Sequence, residues 1–241
     1  MPSALDRLNA LGMPKAKHPT IRPNDAATLI IIDRTGPVPK VLFGRRHESH
    51  VFMPGKFVFP GGRVESTDTK MPSASELHPE AAAKLMQGAS ARKARALALA
   101  AVRETFEETG LMLGIKRQPP PRAPGGLWSA FAEAGVYPDL ASMNYIARAV
   151  TPPGLSRRFD TRFFAVDAQA IAHRMEGIVG PQAELVELVW VPIAETKDID
   201  LHPITAAILE ELEARTAAGM GHGLPVPLYR RKNRHFQREL L

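Results

Sequence analysis

The chain of 241 residues is 44% hydrophobic, enough for one domain with a substantial core and only marginally for two. It has no cysteine, which excludes a disulfide scaffold and a thiol nucleophile and accords with a reducing compartment. The net charge of +6 is uneven. Over residues 229–241, Arg230, Arg231, Lys232, Arg234 and Arg238 oppose Glu239 alone, so this stretch carries +4 and gives only weak support for a nucleic-acid partner.

Residues 1–25, with Pro14, Lys15, Lys17, His18, Pro19 and Pro23, are expected as a leader over the domain surface. The longest apolar run near the start, residues 26–32, is too short to cross a bilayer, and the first residues lack a signal pattern. A cytoplasmic protein with no membrane partner is expected. Residues 27–33, rich in Ile, predict a buried strand, and residues 40–46 the returning strand of a hairpin. A loop at residues 47–55 leads to a short apolar strand at Phe57, Val58 and Phe59. The segment 69–90 includes Met71-Pro72-Ser73 and has partly helical composition from 76 to 87.

Residues 91–102 contain neither glycine nor proline and are rich in Ala, Leu, Arg and Lys. Gly110 supplies a C-cap, so a helix is expected from about residue 90 to 109. On it, Glu104, Glu107 and Glu108 stand at i, i+3 and i+4, which puts three carboxylates on one face. Leu99, Val102 and Phe106 form a second stripe suited to packing on a sheet. Like charges at that spacing repel; pairing with Arg103 or binding a divalent cation would offset the repulsion. A solvated acidic helix end with a local Arg–Glu pair is the plainer alternative.

Beyond the helix, residues 116–126 form a proline-rich connection and residues 127–134 a short helix. Strands are expected at 143–150, 162–166 and 185–191. His202-Pro203 opens a second long helix with Ile204, Ala207, Ile208 and Leu212 as its apolar stripe, and Gly219, Gly221 and Gly223 break the helical pattern beyond it. Strands on either side of a central helix, with a second long helix, predict an α+β chain, an α/β/α sandwich with a mixed β-sheet.

Phe57-Val58-Phe59-Pro60-Gly61-Gly62 ends in two glycines that let the backbone turn sharply and approach a ligand. With Arg103-Glu104-Thr105-Phe106-Glu107-Glu108-Thr109-Gly110-Leu111 it resembles the nudix box, the signature of hydrolases that split a nucleoside diphosphate linked to another group. Gly62 matches the box glycine, Asp68 stands where the family usually has Glu, and Thr105 fills a slot that is usually apolar. The family has seven residues between its first acid and the Arg; residues 69–102 make 34, an excess of 27. Such an insertion costs little closure entropy. It is expected to be a substrate-facing lid or a subunit contact. The resemblance implies the nudix fold over a domain of residues 26–218, with the insertion at about 69–90 and a basic tail at 219–241.

The resemblance further implies Glu104, Glu107 and Glu108 as ligands of Mg²⁺, with Mn²⁺ an alternative, and Gly61 as a backbone ligand. Arg103 would orient the carboxylates and Glu104 could serve as base. Asp68 is a candidate positioning acid, and Glu184, ahead of a late strand, a candidate additional base or ligand; Glu187 is the second choice. A diphosphate substrate needs cations, for which Arg45, Arg46, Arg63 and Arg158 are the candidates. Lys56, Arg157 and Arg162 lie in the same two basic groups, and His50 reads as an ordinary loop histidine.

Residues 53–62, the Arg103 motif, Arg158-Phe159-Asp160-Thr161-Arg162-Phe163-Phe164 and the long insertion are similar to the branch containing the kidney-type peroxisomal coenzyme A diphosphatase. The chain lacks that group's His-any-Gly-Gln stretch and a peroxisomal C-terminal address. The implied substrate is coenzyme A or acyl-CoA, with ADP-ribose, nucleoside triphosphates and dinucleoside polyphosphates as alternatives. A decapping-type RNA protein and a catalytically silent binding module are the competing classes. A homodimer is expected, because leader and tail extend beyond the sandwich and Leu224, Val226, Leu228, Tyr229 and Phe236 are interleaved with arginines.

Overall fold

The computed structural model describes residues 3–12, 21–48 and 55–241. In chain order the helices are α1 (Ala4–Ala10), α2 (Pro79–Met86), α3 (Ala91–Thr109), α4 (Trp128–Glu133) and α5 (Pro203–Ala217). The strands are β1 (Asn24–Asp33), β2 (Lys40–Arg46), β3 (Phe57–Val58), β4 (Gly61–Arg63), β5 (Leu111–Leu113), β6 (Ile115–Lys116), β7 (Val136–Tyr137), β8 (Asn144–Val150), β9 (Phe159–Asp167), β10 (Ile171–Arg174), β11 (Leu185–Pro192), β12 (Pro227–Lys232) and β13 (His235–Leu240).

The main sheet runs β11-β2-β1-β9-β8-β12-β13, with β3 on β2 and β4 on β1. It is mixed: β1 pairs β9 in parallel and β2 antiparallel, and β12 pairs β8 in parallel. The apolar run of β1 feeds both faces, as expected of a strand buried on two sides. Leu29 and Ile31 join the core beneath α2, α3 and α4, whereas Ile30 and Ile32 join the core beneath α1 and α5. The expected α/β/α sandwich is the observed one.

Helix α3 begins at Ser90, whose hydroxyl accepts from the Lys93 amide, and ends at Gly110 with φ 74°. A Cβ at Gly110 would also strike the Met175 carbonyl, so only glycine fits that turn. Leu99, Val102 and Phe106 are all buried in the core. Thr105, in the usually apolar slot, is buried too; its hydroxyl donates to the Ala101 carbonyl at 2.8 Å, which satisfies it without solvent.

Three expectations change. The insertion is not a lid. Met71, Ala81 and Leu85 are buried in the main core, and Arg95 reaches back to Glu76, Ser73 and the Met71 carbonyl. Lys84 donates to the carbonyls of His222 and Leu224, fastening α2 to the C-terminal region. The stretch after Gly219 is not a tail beyond the sandwich, because β12 and β13 form a hairpin that extends the main sheet. The start of the chain supplies α1, whose Leu8 is buried and whose Asn9 amide pairs with both backbone groups of Phe236. Of the residues behind the dimer expectation, Val226, Leu228, Tyr229 and Phe236 are buried within the chain, while Arg238 pairs with Glu211 and Arg7 with Glu210. Pro14, Lys15, Lys17, His18, Pro19, His50, Met53 and Pro54 lie outside the described residues.

Candidate active site

The site sits where the C-terminal half of α3 passes the Gly61–Gly62 turn. β4 is held against β1 by the pairs Thr28–Gly61, Ala27–Gly62 and Ala26–Arg63. A Cβ at Gly62 would run into the Glu104 carboxylate, so the bare backbone leaves that carboxylate its place against the turn.

Arg103 is the hub. Its side chain is 2% exposed and ion-paired through Nε to Asp68 Oδ1 at 2.8 Å. Nη2 donates to Asp68 Oδ2 at 3.2 Å and to the Arg63 carbonyl at 2.8 Å. Nη1 faces Glu104 at 3.0 Å and Glu107 at 3.2 Å. Burial works against the Arg103 charge, but the bonds from Asp68 outweigh it and hold its pKa above the ordinary value. Asp68, expected as a positioning acid, is fully buried and acts through this fork. Trp128 Nε1 donates to Asp68 Oδ1 at 3.2 Å and the Glu65 amide to Oδ2 at 2.8 Å.

The glutamates divide. Glu104 is largely buried, and burial, with Glu107 adding to it, pushes its pKa up to about 7 against the pull of Arg103. Glu108 is 6% exposed; burial, then the charge of Glu184, raises it well above the ordinary value, while Arg46 and the Gly61 amide pull the other way. Glu108 Oε2 is buried with no hydrogen-bond partner. Glu107 is half-exposed and engaged with Arg103. Among the described residues no group of three or more acidic or histidine side chains is drawn into a metal-holding cluster. The three expected ligands therefore share a helix face without converging on one point.

The donor chemistry nevertheless fits a hard cation. Two buried carboxylates are short of positive charge, one oxygen is orphaned, and the glycine turn brings backbone beside them. Glu104 and Glu108 are the residues that would hold a metal, with the Gly61 backbone adjacent.

A cleft of about 520 Å³ opens on the Arg103 side, lined by Asn24, Asp25, Arg63, Glu65, Lys93, Glu104 and Glu107. Of the four expected substrate cations, Arg63 lines it. Arg46 pairs with Glu184 at 2.7 Å next to Glu108, and Arg45 pairs with Glu187. Arg158 is not brought to the cleft. It is buried, and its guanidinium donates to the carbonyls of Thr151 and Ile21. Arg162 is likewise buried on Asp25 and Asp160.

Sequence reasoning missed Lys93 and Trp128. Lys93 precedes Glu104 by eleven residues, about three helical turns, so a count along the helix would have put both on one face. Nothing in the spacing marks Trp128.

No family model and no curated protein matches the sequence. Solved structures do. A nudix hydrolase from Alicyclobacillus acidocaldarius is 29% identical, covers 80% of this chain and 92% of its own, and superposes with a TM-score of 0.61. Further off are the Mycobacterium smegmatis nudix hydrolase RenU, 20% identical over 81% of this chain and 86% of its own (TM-score 0.44), and the nudix domain of Shewanella oneidensis NrtR in complex with ADP-ribose, 13% identical over 88% and 97% (TM-score 0.45). This chain shares the fold of the first of these, and that fold is the nudix fold.

Proposed function

We propose that the chain is a nudix-type diphosphatase that uses a divalent cation, Mg²⁺ or Mn²⁺, to hydrolyse the diphosphate of a nucleoside diphosphate linked to another group. The observation that carries this reading is the buried Glu108 carboxylate, with Oε2 unpartnered and its charge suppressed, beside Glu104 at the glycine turn. A cation bound there would neutralise phosphate oxygens and lower the pKa of a water. Glu104 and Glu108 hold it, with the Gly61 backbone beside them. Arg103 keeps Glu104 and Glu107 facing the cleft. Glu184, which raises Glu108, is the additional acid on that side, and Arg46 balances both. Arg63 and Lys93 are the cations of the cleft that can face substrate phosphates.

The finer reading, coenzyme A or acyl-CoA, is supported by the sequence resemblance alone. ADP-ribose, nucleoside triphosphates and dinucleoside polyphosphates are the alternatives for the same chemistry. A panel of these compounds with capped RNA, assayed with Mg²⁺, Mn²⁺ and EDTA, tests the proposal. Metal-dependent release of a nucleotide product from at least one is expected. No cleavage of any member with either metal overturns it. Localisation in the cytoplasm is part of this reading; among the described residues no helix is long and apolar enough to cross a membrane.

A further inference from the structure

We infer that Trp128 is a positioning residue for the glutamates of α3, acting through Asp68 and Arg103; the inference rests on the metal-dependent reading above. Trp128 opens α4, 25 residues beyond Arg103, and is fully buried. Its indole N–H donates to Asp68 Oδ1, the same oxygen that accepts from Arg103 Nε. The Asp68 carboxylate thus accepts four bonds, two on each oxygen: Trp128 and Arg103 on Oδ1, Arg103 and the Glu65 amide on Oδ2.

Saturation on that scale does more than satisfy the oxygens of a buried carboxylate. With both oxygens pinned, the plane of Asp68 is fixed, and a bidentate fork copies that plane onto the guanidinium. The guanidinium then has one place to put Nη1, between Glu104 and Glu107. Aspartate is one methylene shorter than the glutamate usual at this position, and the indole N–H supplies an anchor from outside the box. The ring is tied to the same helix by a second route. It packs against Phe131 at 4.9 Å between centroids, and Phe131 meets Phe106 of α3 edge-on at 5.3 Å. A phenylalanine at 128 keeps an aromatic ring beside Phe131 but loses the N–H and part of the ring volume, so a stability measurement on the same variant is needed to separate the two roles.

The test is a double-mutant cycle on the full chain, read by Mn²⁺ binding in calorimetry rather than by turnover. Trp128→Phe is expected to weaken Mn²⁺ binding about fivefold, less than the roughly tenfold expected of Asp68→Asn, which removes the charge that orients Arg103, the direct partner of Glu104. The double variant should bind no more weakly than Asp68→Asn alone. An unchanged affinity in Trp128→Phe, or a full extra loss on top of Asp68→Asn, overturns the inference. Should Trp128→Phe fail to fold, Trp190→Phe leaves Trp128 as the single tryptophan, since the chain has two. Its emission must then shift on adding Asp68→Asn, and an unmoved spectrum overturns the indole–carboxylate link. Wild-type protein that binds no Mn²⁺ sinks the proposed function instead, while the emission readout still decides the link.

Discussion

Two buried arginines, Arg103 and Arg162, each 1% exposed, anchor two ion clusters on the same face of the sheet and do opposite things. Arg162 shares Asp25 and Asp160 with Lys93 and Arg148, three cations to two acids. Asp25 ends below its ordinary pKa: burial raises it, but Lys93 and Arg162 together outweigh that. Arg103 stands alone against Asp68, Glu104 and Glu107, with Glu108 one turn on. There Glu104 and Glu108 are driven up. A balanced buried cluster holds strands together. An acid-rich one is in need of a cation, which is the difference between a structural network and a site.

Breaking the balanced cluster should have the largest effect. Arg162→Met removes the buried cation shared by Asp25 and Asp160 and leaves them to the part-exposed Lys93 and Arg148, a loss expected at about 3 kcal/mol, the low end for breaking a buried cluster. Urea denaturation should show a loss of that size, with turnover per folded molecule unchanged. A full-stability variant would mean that Lys93 and Arg148 suffice, and the comparison would fail.

Breaking the acid-rich cluster should do the reverse. Glu108→Gln removes a suppressed charge and should leave stability intact or raised while kcat falls on the order of a hundredfold, the scale of one lost electrostatic contact in a transition state. Glu107→Gln, at a half-exposed carboxylate, should lose about tenfold by the same measure. Full turnover in both variants at limiting Mg²⁺ would remove the glutamates from the chemistry.

The contrast between the clusters was only half visible in the chain. Helix α3 and its glutamate face were legible because Ser90, the glycine-free run and Gly110 are local signals. The role of Arg103 was legible in outline, since Glu107 is one turn away. That Arg103 is oriented from Asp68 and Trp128 was not, because 34 residues intervene on one side and 24 on the other. Arg158 misled for a related reason. An arginine in a Pro-Gly loop reads as exposed, yet its guanidinium satisfies backbone carbonyls that the fold buries. The C-terminal hairpin hid behind its turn: Asn233 and Arg234 both take positive φ, and arginine is not a turn signal there.

The pH response sharpens the comparison next. A carboxyl whose pKa rises on folding binds its proton more tightly folded than unfolded. The stability that Glu104 contributes is therefore complete below its ordinary value of 4.5 and is lost as the pH rises through about 7. Metal-free wild type should fall in Tm relative to Glu104→Gln over that window, and added Mg²⁺ should recover more at pH 8 than at pH 5. A wild-type minus variant difference that stays flat across the window contradicts the assigned charge state.

The smallest effect belongs to Lys93, a member of the Arg162 cluster that also lines the cleft. Lys93 Nζ lies 2.8 Å from Asp25 Oδ2, while Arg162 Nη1 holds Asp25 Oδ1 at 2.9 Å, so Asp25 keeps a buried cation if Lys93 leaves. The lysine is also part of the cleft wall, on the Glu104 face of α3 and about 16 Å along the helix from it at 1.5 Å per residue. That places it at the opposite end of the cleft from the carboxylates, where a distal anionic group of a bound substrate would lie. A part-exposed pair of this kind is worth about 0–1 kcal/mol to the fold, so Lys93→Met should barely move Tm. It should raise KM about fivefold for substrates with an anionic distal group, with kcat within about twofold, the signature of binding lost equally from ground and transition states. Substrates without such a group should be indifferent. A fall in kcat with unchanged KM would move Lys93 from the binding wall into the chemistry, and no change in either would return it wholly to the structural cluster.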